Sequence, residues 1–228
     1  MKEMRNTDIA QPEMKAKEQL DLGRQLLASG SCARARKHFR KAIQICPDDA
    51  QLYLVLGQSF FFQKKPNLEE AIRAFRRVVD LSPDWGEGHN WLGTAQEQQG
   101  KLQEAVDSFE RAISLAPDDT RPRISLGVCL TRLKNYAAAI THLRQGISLK
   151  PNYAEASAHL FLADALRQSG QIDAAREEWR QILNMPSEYP DYEHPAKEAR
   201  QLLKKYGAKL DMNPAGWITP GKRGYRRS

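Results

Sequence analysis

An all-α array of stacked antiparallel helix pairs is the fold class this sequence predicts, and three periodic columns of residues predict it. Prolines recur at Pro47, Pro83, Pro117 and Pro151, spaced by 36, 34 and 34 residues. Alanines recur at Ala35, Ala71, Ala105, Ala139 and Ala175, and four residues after each stands a large apolar side chain: Phe39, Phe75, Phe109, Leu143 and Trp179. The third column holds Gly23, Gly57, Gly93, Gly127 and then Ala163. Small residues let two helix axes approach, and large ones fill the space between them. A single helix pair cannot bury its apolar face alone, so such units stack.

The unit is clearest between Trp91 and Asp119. Its first helix ends near Gly100, where glycine takes the left-handed turn conformation cheaply. Ala105, Phe109 and Ala112 then follow at spacings of four and three, one face of a second helix. Pro117 stops that helix, and Asp118 or Asp119 is placed to cap the next. Taken in order, residues 1–15 read as a flexible N-terminus and residues 16–185 as five units. Two-residue insertions fall in the QKKPN turn of the second unit and between Pro151 and Ala163, where loops tolerate them. Gly146 stands late in the fourth unit where a small alanine is usual, and the fifth unit exits through NMPSEYPDYEHP. Residues 186–208 read as a linker and capping helix. In PAKEARQLLKKY, Pro195 is placed for a helix start, and Ala199, Leu202, Leu203 and Tyr206 share one face. Residues 209–228, rich in Gly, Pro and Arg, read as a basic disordered tail.

These columns, over roughly residues 16–185, resemble the tetratricopeptide repeat, a degenerate helix–turn–helix of about 34 residues. The resemblance implies a right-handed superhelical solenoid. It also implies that the first helix of each unit lines a concave inner wall, and that the chain binds other proteins there.

Composition narrows the function. At 41% hydrophobic and 28% charged residues, the 228-residue chain reads as soluble and globular. Cys32, Cys46 and Cys129 form no CxxC pair, which suits a reducing, cytoplasmic setting and offers neither a disulfide framework nor a zinc site. The N-terminal residues hold no apolar run of the kind a secretion signal needs, and no window reaches the length of a membrane span. The net charge is +7, but residues 204–228 alone carry +6, leaving the other residues close to neutral. A nucleic-acid groove along the body is therefore disfavoured.

Enzyme signals fail in turn. GEGHNWLG (Gly86 to Gly93) has two glycines of a dinucleotide fingerprint but Trp91 at the third place and no strand before it. The five histidines show no HExxH spacing, and His89 and His159 share one packing column of the repeat. Cys129 reads as a small buried residue. No catalytic residue, cofactor or metal is predicted.

The informative feature is a second stripe on the first helices, one residue round from the packing columns. It holds Leu20 and Arg24 in the first unit, and Leu54, Val55, Gln58, Phe61 and Phe62 in the second. Asn90, Trp91 and Thr94 follow in the third, then Ile124, Ser125 and Val128, then Leu160, Phe161 and Asp164. Together they predict a groove for an apolar or amphipathic partner segment, with Arg121, Arg132 and Arg167 placed to orient an acidic group. The lysines and asparagines by which repeats of this family form a carboxylate clamp are replaced here by Leu20, Arg24, Leu54 and Gln58. The function expected is a non-catalytic adaptor or assembly factor holding a peptide or helix. The alternatives are a structural subunit of a larger complex, and an accessory protein docking RNA or an acidic surface through the tail residues Trp217, Lys222, Arg223, Arg226 and Arg227.

Overall fold

Eleven helices account for the regular structure of the described residues, and their limits follow from the punctuation between them. A computed structural model of the chain describes residues 7–149, 155–188 and 191–206. The helices pair as α1 (Thr7–Ala28) with α2 (Cys32–Ile45), α3 (Ala50–Phe61) with α4 (Leu68–Leu81), and α5 (Gly86–Gln98) with α6 (Leu102–Leu115). Then come α7 (Thr120–Arg132) with α8 (Tyr136–Ser148), α9 (Glu155–Gln168) with α10 (Ile172–Asn184), and the single α11 (Glu193–Tyr206). The first helix begins at Thr7, inside the stretch read as flexible, and contains Pro12. Pro195 lies in the first turn of α11 rather than at its start, where its missing N–H costs no helical hydrogen bond. Pro151 and most of the second insertion fall outside the described residues, as do Trp217, Lys222, Arg223, Arg226 and Arg227.

Turns and caps supply the limits. Gly100 closes the turn of the third unit at a φ of +84°, and Lys134 adopts +63° at the matching place in the fourth. Asp49, Asn67 and Asp119 cap α3, α4 and α7 by accepting from the backbone N–H groups of Gln51, Glu70 and Arg121 at 2.8, 3.2 and 3.0 Å. Helix α9 draws on a distant residue instead: Asp191, in the linker before α11, accepts from the Ser157 N–H at 2.9 Å.

Within each pair the small column lies against the large one. A methyl group added at Gly57 would sit 2.4 Å from the Phe75 ring, and one at Gly127 would sit 2.4 Å from Leu143 Cγ. Ala35, Ala71, Ala105, Ala139 and Ala175 are fully buried, as are Phe39, Phe75, Phe109, Leu143 and Trp179. Successive units meet second helix to first helix. In addition α1 meets α3, α5 meets α7, and α7 meets α9, while among the described residues no two even-numbered helices of neighbouring units pack to that extent. The odd-numbered helices therefore form the crowded, concave side. The final helix α11 packs on α10 and α9 as half of a further unit would, placing Ala196, Ala199 and Leu203 in the core. Tyr206 stacks on Trp179 at 5.9 Å between ring centres.

The core is not continuous along the array. One buried cluster joins α1, α2 and α3 through Leu20, Phe39, Leu52 and Val55, and a second runs from Leu54 and Phe61 to Leu92 and Ala95. The third begins at Ala105 and Phe109 and extends to Leu203. Between the second and third lies a polar layer inside the third unit. There Ser108 Oγ donates to Gln96 Oε1 at 2.7 Å, and Glu104 Oε2 accepts from Gln96 Nε2 and Arg76 Nη2 at 3.2 Å each.

Candidate functional site: the concave wall

The concave wall is built by residues at fixed offsets from the glycine column, and the structure sorts the predicted stripe into three groups. Arg24, Leu54, Val55, Gln58 and Phe62 come together in a cleft of about 510 Å³ between α1, α3 and the start of α5. Leu27, Ala28, Gln51, Trp85 and Glu87 complete its walls. The floor is apolar because Leu54 and Val55 are held down by the clusters beneath them. Phe62 stands above it with 57% of its surface exposed. Arg24 has no carboxylate within ion-pair distance among the described residues.

A second group is core rather than wall. Phe61 is buried and packs edge-on against Phe62 and Trp91 at 5.3 and 5.7 Å, whereas Leu20, equally buried, lines with Arg24 and Gln51 a neighbouring cleft of about 510 Å³ between α1 and the start of α3. Trp91 also stacks on Phe75 at 5.8 Å, while its Nε1 donates to Glu87 Oε1 at 3.3 Å. The neighbouring unit thus covers Phe61, because α5 lays the Trp91 indole across the end of α3, where it also meets Phe62 edge-on at 5.5 Å. Phe62 is the member of this cluster that reaches solvent. Asn90 and Ile124 are buried between helices, Thr94 and Val128 are half-buried, and none of these four lines the cleft.

The third group is at the far end. Leu160, Phe161 and Asp164 lie in a separate cleft of about 460 Å³, whose other wall is α11 through Glu198, Leu202 and Tyr206. The capping helix therefore occupies the inner face of the fifth unit, and the predicted groove is not one channel.

The three arginines expected to orient a ligand are engaged within the chain. Arg121 forks onto Asp119 with hydrogen bonds of 2.8 to 3.2 Å, Arg132 pairs with Glu97, and Arg167 pairs with Asp164. Burial by itself would raise the Asp119 pKa, but the Arg121 hydrogen bonds and charge outweigh it and hold the carboxyl below its ordinary value. The hydrogen bond from Arg167 to Asp164 raises the arginine's already high pKa.

The histidines and cysteine weighed as catalytic groups have structural places. His89 Nε2 lies 2.9 Å from the Pro83 carbonyl oxygen, and His159 Nδ1 lies 2.6 Å from Glu178 Oε2. Burial pushes the Cys129 thiol up to about 12, so it stays protonated at neutral pH. Among the described residues no group of three or more His, Cys, Asp or Glu side chains is placed to hold a metal, and no helix is long and apolar enough to cross a membrane.

Gln51, Trp85 and Glu87 were absent from the predicted stripe. Gln51 and Glu87 stand six residues before Gly57 and Gly93, a repeating offset that marks them in the sequence. Trp85 enters from a loop and carries no such signal.

Comparison with known proteins agrees with this architecture. Family models described as tetratricopeptide repeat match residues 16–59, 62–120, 96–158 and 130–193. Among solved structures, a MamA protein is 21% identical over 86% of this chain and 97% of its own, with a TM-score of 0.65. YrrB, described as a TPR protein with an unusual peptide-binding site, is 18% identical over 87% of this chain and 98% of its own, also at 0.65. TTC0263, a thermophilic TPR protein in Thermus thermophilus, is 20% identical over 83% of this chain and 99% of its own, at 0.63. No curated protein matched the sequence. The columns, the paired helices and the matched models lead to one conclusion: the chain belongs to the tetratricopeptide repeat family.

Proposed function

We propose that the chain is a non-catalytic adaptor or assembly factor that holds an apolar or amphipathic partner segment in the cleft between α1, α3 and α5. The observation that carries this is the exposed Phe62 ring over an apolar floor, beside Arg24, which has no ion-pair partner among the described residues. A large aromatic left open to water in a concave site is the kind of anchor around which binding energy concentrates. The side-chain amides of Gln51 and Gln58 on the same wall have no hydrogen-bond partner among the described residues, which leaves them for a ligand's polar groups. Arg24 favours a segment that carries a carboxylate next to its apolar residues. The neighbour described by its peptide-binding site supports a peptide as ligand.

Selection of peptides from a displayed library against the full chain tests this reading. Wild type is expected to enrich sequences with apolar anchors and a nearby acidic residue. Phe62→Asp should weaken the selected peptides by at least about thirtyfold, matching a hot-spot loss of about 2 kcal/mol. Its helical content and melting temperature should remain those of wild type. Peptides that bind Phe62→Asp as well as wild type would place the site elsewhere.

A further inference from the structure

The outer face of α2 carries cations and no acidic residue. Cys32, Ala35, Phe39 and Ala42 are its buried residues, and Arg34, Arg36, Lys37, Arg40 and Lys41 cover the opposite arc, with no acidic residue anywhere in the helix. Lys64 and Lys65, in the turn after α3, extend the patch at one end. A cleft of about 480 Å³ there is lined by Gly30 to Arg34, Arg36, Gln63 and Lys64. None of these seven cations has a carboxylate within ion-pair distance among the described residues, although ion pairs are frequent on the adjoining α4. Two are pre-positioned. Arg36 donates to the Ser59 carbonyl oxygen at 2.8 Å and lies 4.7 Å from the centre of the Phe60 ring, and Arg40 lies 6.0 Å from it. Fixing them in the free protein lowers the ordering cost of binding.

Like charges crowded on one rigid face repel each other unless an anion covers them. The second helices of the next two units do not share this pattern. In α4, Glu69, Glu70 and Asp80 alternate with three arginines, and α6 carries Glu104, Asp107 and Glu110 against Arg111. The cationic face is therefore local, about 20 Å long and one helix wide.

We infer that this face of α2 docks an acidic segment of a protein partner, at a site separate from the concave cleft. Three features favour a polypeptide over a nucleic acid or a membrane. A phosphate backbone running past the end of α2 meets the exposed Asp48. The face presents no exposed aromatic on which bases could stack, since Phe60 is buried. It presents no exposed large apolar residue to enter a lipid interface either. A short run of Asp and Glu, extended or helical, matches both its length and its charge.

Fluorescence anisotropy on the full chain tests the inference with three labelled probes. These are a peptide of alternating Glu and Ala about as long as α2, a single-stranded RNA of equal charge, and vesicles of phosphatidylserine with phosphatidylcholine. The acidic peptide is expected to bind, and Arg34→Gln/Lys37→Gln/Lys41→Gln should weaken it about tenfold. Removing three charges from the tail, as Arg223→Gln/Arg226→Gln/Arg227→Gln, should change its affinity less than about twofold. A second variant, Arg40→Gln/Lys64→Gln/Lys65→Gln, decides the matter if the first melts lower than wild type. Equal losses in the α2 and tail variants would overturn the inference, since affinity would then follow net charge. An α2-dependent preference for RNA or vesicles over the peptide would overturn it as well.

Discussion

At Gly57 a hydrogen is all that separates the α3 backbone from the fully buried Phe75 ring. Gly57→Ala should therefore destabilise the protein by about 1–3 kcal/mol, because an aromatic ring packed on all sides cannot swing away. Ala105→Leu should cost a similar amount, roughly 1–3 kcal/mol, since Ala105 is fully buried in the third cluster. A thermal melt of each variant checks both. Lys134 runs the other way. It holds a positive φ that a side chain disfavours, at the place where Gly30, Gly100 and Gly170 stand in other units. Lys134→Gly should raise stability by about 1 kcal/mol in a chemical denaturation series. Asp119 adds a pH dependence of known sign. Its folded pKa is depressed, so its contribution is present above its ordinary value of 3.8 and is lost as the pH falls through the lower folded value. Asp119→Ala should cost about 1 kcal/mol near neutral pH, and the difference from wild type should shrink below pH 3.8.

At the scale of the helices, α11 packs on the last described pair, α9 and α10. Its Ala199 and Leu203 join Trp179 and Ile182 in one buried cluster, and Arg176 Nε donates to the Tyr206 carbonyl oxygen at 2.7 Å. Leu203→Ala should cost about 2–5 kcal/mol. Exchange protection should fall in α9 and α10 before it falls in α3 or α4, which hydrogen exchange resolves by mass spectrometry. The existence, pairing and packing faces of the helices were legible in the sequence because each depends on residues within one unit. The concave wall was legible only in part, because the covering of a side chain there depends on the next unit. Phe61 and Phe62 are adjacent in sequence and Trp91 of the following unit meets both edge-on, yet Phe61 is buried and Phe62 is exposed. The partner of Arg132 is 35 residues away and gave no local sign. The cationic run on α2 was in plain view, but a net charge taken over the whole body averages it against acidic helices further along.

The molecule as a whole behaves as a line of units, so opening at one place need not reach the others. A polar layer of Gln96, Ser108 and Glu104 separates two of the buried apolar clusters inside the third unit. Native-state hydrogen exchange should therefore separate α1–α4 from α7–α10 as two cooperative blocks. Replacing the layer with Gln96→Leu/Ser108→Ala should merge them, whereas two blocks in both proteins would assign the break to another joint.

That layer also has a mechanical consequence. Hydrogen-bonded side chains can exchange partners with water as they shift, while an interlocked apolar surface resists until it parts. In the third unit such a layer lies between two apolar clusters, so side chains there can shift without parting an apolar surface. The cleft beside Phe62 lies wholly on the α1–α5 side of that layer, so a shift there leaves its lining residues together.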